Sequence, residues 1–219
     1  MAVVTGERQY GRFIAFEGGE GAGKSTQASL LADALRERGL SVDVTREPGG
    51  TEGAEAIRAL LLNPPGSGWG PKAEALLFAA ARSDHVERRI KPAIMAGTWV
   101  ICDRFVDSSR AYQGGAGGLG DEAISALHQF GSDGLRPDLT ILLAVGEDNV
   151  ASRLAARDGN TSDAIGGRSG DYHRAVASSF RELAQNDTDS FAIIDGDGEA
   201  SEVHALVLAS VLPLLDEVE

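Results

Sequence analysis

With 219 residues the chain is long enough for one α/β domain that buries roughly 70% of its unfolded surface, so it needs no disulfide or metal staple. An apolar share of 42% and a charged share of 24% exclude a disordered or fibrous class. The formal charge of −13 argues against a nucleic-acid partner. It leaves room for a nucleotide, which a local cluster of N–H groups and arginines holds whatever the global charge.

Residues 13–16 form a short apolar run of strand length, and similar runs recur at 40–44, 99–102, 139–145 and 191–194. Continuous apolarity suits strands covered on both faces. After the first run, Gly18, Gly19, Glu20, Gly21, Ala22, Gly23, Lys24 and Ser25 fit G-x-x-x-x-G-K-[ST] at the start of a helix. Glycines there let backbone N–H groups face a phosphate, and the helix N-terminus adds its partial positive charge. Lys24 is expected on the β and γ phosphates of ATP and Ser25 on Mg²⁺, with Thr26 beside them in the same site.

Leu30, Leu31, Ala34 and Leu35 make a helical stripe ended by Gly39, and Val203, Leu206, Val207 and Val211 make another. This alternation predicts an α/β fold of the P-loop NTPase type, with a five-stranded parallel sheet and helices on both faces. One domain is expected over 1–219, with a short N-terminal extension at 1–11. Residues 63–70 (NPPGSGWG), 114–120 (GGAGGLG) and 157–170 (RDGNTSDAIGGRSG) read as loops, the last as a lid.

The run at 99–102 delivers Asp103 and Arg104 to the carboxyl edge of the sheet, where ligands of open α/β sheets bind, and Asp103 is placed there to hold Mg²⁺. Cys102 is expected to be a buried, reduced thiol. No stretch of about 18 uncharged apolar residues occurs and no signal-peptide core precedes Tyr10, so a cytoplasmic protein without membrane contact is expected.

No N-K-x-D tetrad for guanine is present, which weakens a GTPase reading. Arg46, Arg82, Arg104, Arg153, Arg157 and Arg168 instead supply the guanidiniums that transfer between two polyphosphates needs. Arg36, Arg38, Arg88 and Arg89 read as solvated.

Residues 45–51 (TREPGGT), 78–82 (FAAAR), Asp103-Arg104 and 108–114 (SSRAYQG) follow the phosphate loop collinearly. In this the chain resembles the thymidylate kinases, closely over 13 to about 145 and more loosely beyond. The resemblance implies transfer from ATP to dTMP by a Mg²⁺-dependent homodimer. It implies that Phe78 stacks on thymine and that Arg82 donates to its O4. Arg46 and Arg104 would clamp the acceptor phosphate, with Arg104 also reaching the γ phosphate. Tyr112 would pack near the sugar and disfavour a 2′-OH, Ser109 and Gln113 would contact the base or support its pocket, and Glu20 would accept from the 3′-OH.

In that family a phosphate loop with no basic residue at Glu20, Gly21 or Ala22 usually goes with lid arginines in a D-R-x-E motif. Here Asp163, Ala164, Ile165 and Gly166 stand in its place. Arg168 is expected as the substitute catalytic residue beside Lys24 and Arg104, with Arg153 and Arg157 approaching the phosphates or adenine. A kinase for dUMP or a broader pyrimidine set stays open as an alternative, as does a nucleotide-binding protein that has lost catalysis.

Overall fold

The computed structural model of the chain describes residues 10–146, Asn149, Arg153 and residues 164–216. β1 (Phe13–Glu17), β2 (Val42–Arg46), β3 (Trp99–Asp103), β4 (Leu139–Ala144) and β5 (Phe191–Asp195) form one parallel sheet in the order β2-β3-β1-β4-β5. Ile14, Phe16, Ile101, Ile141 and Leu143 point to one face and pack on α1 (Lys24–Glu37) and α8 (Ala200–Val211) through Leu31, Leu35, Val203 and Val207. Phe13, Ala15, Val100 and Cys102 point to the other, under Val86, Ile90, Phe105 and Val106. Both faces are covered, which is why the strands read as unbroken apolar runs.

Three strands run one polar residue past the apolar run, to Glu17, Asp103 and Asp195. β2 departs further, running from Val42 to Arg46 where 40–44 was expected. Leu40 N–H bonds back to Leu35 O at 3.2 Å and closes α1 around Gly39, whose φ is +86°, while Arg46 pairs with Asp103 in the ladder. β4 ends at Ala144, one residue short of the expected 145.

α2 (Glu52–Leu62) and α3 (Pro71–His85) flank the irregular 63–70 stretch. A π-type segment, Val86–Ile90, joins α3 to α4 (Lys91–Met95). The glycine-rich 114–120 stretch is a correction: α5 (Val106–Ser109) continues as a π-type segment, Arg110–Ala116, so its first half is helical. Gly115 lies where α7 (Gly170–Asn186) crosses, and a Cβ there would come 2.1 Å from Ser179 Oγ. α6 (Asp121–Ser132) and α9 (Pro213–Asp216) complete the described elements.

Two surface readings also change. Leu206, expected in the buried stripe of α8, is 50% exposed, because that stripe is the narrow Val203, Val207, Val211 line. Arg89 is ion-paired rather than merely solvated, donating through Nε and Nη2 to Asp43 at 2.8 and 2.7 Å. Cys102 is buried and free, and no described helix is long and apolar enough to cross a membrane.

Candidate active site

The carboxyl ends of β1 and β3 open into a cavity of about 520 Å³. At the end of β1 the backbone turns sharply at Gly18, where φ is +138° and a Cβ would lie 2.7 Å from Leu143 O. Only glycine fits such a position. Residues 20–26 line the cavity, and Gly18 and Gly19 act from behind through their carbonyls. Lys24 begins α1 and is buried, its Nζ donating to Gly19 O at 2.7 Å and Gly18 O at 3.1 Å. Burial, and then the neighbouring Arg104 cation, lower its pKa to about 8.

Asp103 and Arg104 leave β3 beside this loop. Arg104 takes a left-handed backbone, φ +69°, held by its N–H on Phe16 O at 2.9 Å. Its Nη1 donates to Gly18 O at 3.0 Å and Ser108 Oγ at 3.2 Å, its Nη2 to Glu20 Oε1 at 2.5 Å, and it lies 5.2 Å over the Tyr112 ring. Sequence reasoning missed Glu17, which supports this corner. Its buried carboxylate accepts from Phe105 N–H at 2.8 Å, Ser108 N–H at 2.9 Å and Ser108 Oγ at 2.6 Å. Burial, and then Asp107, raise its pKa to about 7. An acid ending an apolar strand directly before a glycine pair was the available signal.

Phe78, Arg82, Ser109, Tyr112 and Gln113 line the same cavity, as does Arg46. Arg82 is buried, donating through Nε to Glu47 at 2.7 Å and through Nη2 to Ser109 Oγ at 2.9 Å and Phe105 O at 3.1 Å. Its Nη1 has no acceptor among the described residues. Glu47, also missed, braces Arg82 and His85 at once, and His85 in turn meets Thr45 Oγ1 at 2.7 Å. Glu47, His85 and Cys102 lie within metal-binding reach of one another, but the first two are fully engaged in this network. Arg46 is half exposed and donates to Glu55 at 2.9 Å.

Arg153 leans over the phosphate loop. Its Nη2 donates to Gly196 O at 2.8 Å, and Nη1 would lie 4.0 Å from a Cβ on Gly23. Arg168 does not line the cavity: it is ion-paired to Glu74 and donates to Tyr172 OH at 2.5 Å. Ile165, in the degenerate lid motif, does line it, packing with Tyr112 and Phe180. Arg157 and residues 158–163 lie outside the described residues. Ser25 and Asp103 both line the cavity, and neither the hydroxyl of the one nor the carboxylate of the other has a hydrogen-bond partner among the described residues. Two hard oxygen donors beside a phosphate loop suit Mg²⁺.

The arrangement brings the phosphate-loop motif, an aromatic ring, an amide and a guanidinium to one cavity. A family model described as thymidylate kinase matches residues 16–207. A thymidylate kinase of Rhizorhabdus wittichii is 55% identical over 205 residues, 94% of this chain and 99% of that protein. One from Rhodopseudomonas palustris is 49% identical, covering 88% of this chain and 85% of its own length. A crystal structure of thymidylate kinase from Ehrlichia chaffeensis superposes with a TM-score of 0.74 at 32% identity, covering 92% of this chain and 99% of that one.

Proposed function

The chain belongs to the thymidylate kinase family, and from that membership we propose how its residues divide the work of converting ATP and dTMP to ADP and dTDP. The observation that carries the reading is the single cavity lined by both the phosphate loop and the Phe78, Arg82, Gln113 pocket. An oxygen of the acceptor phosphate attacks the γ phosphorus in line, forming one P–O bond as the bond to the β-phosphate oxygen breaks and ADP leaves. Catalysis is positioning and charge neutralisation, with no covalent nucleophile.

Lys24 and the N–H groups of residues 18–26 hold the donor phosphates. Arg104 sits between the two phosphate sites and Arg46 holds the acceptor phosphate, each exchanging a carboxylate partner, Glu20 or Glu55, for the substrate. Phe78 stacks on the base, and the unengaged Nη1 of Arg82 reads its O4. Ser109 fixes Arg82, Tyr112 covers the sugar, and Glu20 takes the 3′-OH. Ser25 and Asp103 would hold Mg²⁺, whose chemistry when bound is to neutralise phosphate oxygens.

Arg153, already beside Gly23, and Arg157 are the donor-side cations of this reading. A donor-side catalytic role for Arg168 requires it to leave Glu74 and Tyr172. The chain acts as one domain in the cytoplasm and pairs through α2, α3 and α6, where Leu60, Leu76 and Phe130 are exposed.

A steady-state panel of dTMP, dUMP, dCMP, AMP and GMP tests the substrate. The expected result is dTMP as best acceptor by kcat/KM, with Arg82→Ala lowering dTMP turnover selectively. A different best acceptor, or an Arg82→Ala enzyme with intact dTMP turnover, refutes the base-pocket assignment.

A further inference from the structure

Glu74 is a buried carboxylate that neither the phosphate loop nor the acceptor clamp uses. It stands on α3 one turn before Phe78, and its two oxygens are divided between different partners. Oε1 accepts from Gln113 Nε2 at 3.0 Å, and Oε2 is ion-paired to Arg168. Arg168 is tied in turn to Tyr172, whose hydroxyl donates to Tyr112 O at 2.8 Å.

A carboxylate is acceptor-only, so it dictates which end of the Gln113 amide it meets: the NH₂ must face Glu74. The Gln113 carbonyl oxygen then has no donor among the described residues, and Gln113 lines the same cavity as Tyr112 and Arg82. We propose that Glu74 is a specificity-determining positioning residue, locking the Gln113 amide so that only its carbonyl is offered to the acceptor base, with Arg168 as the cation that fixes the Glu74 carboxylate in place. This rests on the nucleotide-acceptor reading above.

A pyrimidine with an N3–H, thymine or uracil, donates to that carbonyl. Cytosine presents an N3 lone pair at the same edge and is repelled. The lock therefore selects the imide bases against cytosine and is blind to the 5-methyl group. An amide at position 74 offers an NH₂ as readily as an oxygen, so it lets Gln113 turn over.

The test measures kcat/KM for dTMP, dUMP and dCMP with the full-length enzyme. Glu74→Gln is expected to lower the dTMP/dCMP ratio by about tenfold or more, because a mispaired polar group at a buried site is strongly rejected. The dTMP/dUMP ratio should stay within about threefold, since both bases carry the N3–H; general loosening of the pocket moves both ratios. Arg168→Met leaves Glu74 in place and alters a partly exposed side chain, and it should shift the dTMP/dCMP ratio in the same direction. In a Gln113→Ala background, Glu74→Gln should have no further effect on that ratio. A wild-type dTMP/dCMP ratio in either single variant, equal movement of both ratios, or an additive double variant overturns the proposal. A wild-type enzyme that does not phosphorylate dTMP would instead refute the acceptor reading beneath it.

Discussion

Lys24 is charged, buried and placed where an ammonium is expensive to keep. Burial, followed by repulsion from Arg104, brings its pKa from 10.5 to about 8. The folded chain thus holds this proton less tightly than the unfolded chain does. The stability associated with Lys24 is complete above about pH 10.5 and is lost as the pH falls through 8, leaving the full cost in place at pH 7. Lys24→Met removes the buried charge but strands two loop carbonyls. A net gain on the order of 1–3 kcal/mol is expected at pH 7 in denaturant unfolding, fading as the pH approaches 10.5. The same variant should lose at least about a thousandfold in dTDP formation, since a positioned cation on the transferring phosphates is gone. A destabilised Lys24→Met protein contradicts this account. The loop was legible in the sequence because its chemistry needs contiguous residues. The charge cost was not, because it depends on how deeply the fold buries Lys24 and then on Arg104 arriving from β3.

At the scale of elements, the sequence located every described strand but underestimated how far polar residues belong to them. Glu17, Asp103 and Asp195 each close a strand, and Arg46 closes β2 in register with Asp103. Apolar runs end where burial ends, whereas the hydrogen-bonded ladder continues to the edge where ligands bind. Glycines misled in the opposite direction. The 114–120 stretch reads as a loop from its composition, yet Gly115 is helical, and glycine stands there because α7 leaves no room for a Cβ. Gly115→Ala is expected to destabilise by about 1–3 kcal/mol through overpacking against Ser179. Adding Ser179→Gly should restore most of the loss in thermal or denaturant unfolding. If the double variant is no more stable than Gly115→Ala, the contact with α7 is not what excludes a side chain there.

For the molecule as a whole, the acidic surface and the exposed apolar side chains point to different partners. A charge of −13 disfavours polyanions, while Phe130 is 93% exposed on α6 and Leu76 is 56% exposed on α3, which packs beside it. Single exposed apolar residues are ordinary, but large ones on adjacent helices fit a subunit interface. Phe130→Asp is expected to halve the sedimenting mass, with the wild type running as a dimer in the same buffer. A monomeric wild type, or a variant still dimeric, removes Phe130 from the interface.

The sequence by itself determined the fold class, the phosphate loop, the Asp103-Arg104 pair and the motif series that resembles one kinase family. Each is a local pattern whose spacing carries its chemistry. Only the tertiary structure decided which acids hold which arginines: Glu47 on Arg82 across 35 positions, Asp43 on Arg89 across 46, and Glu74 on Arg168 across 94. Such pairs leave no periodic trace, because the partners are set by how the helices cross the sheet. For that reason Arg168, expected from its position at the donor phosphates, is found paired with Glu74, the carboxylate that also holds Gln113.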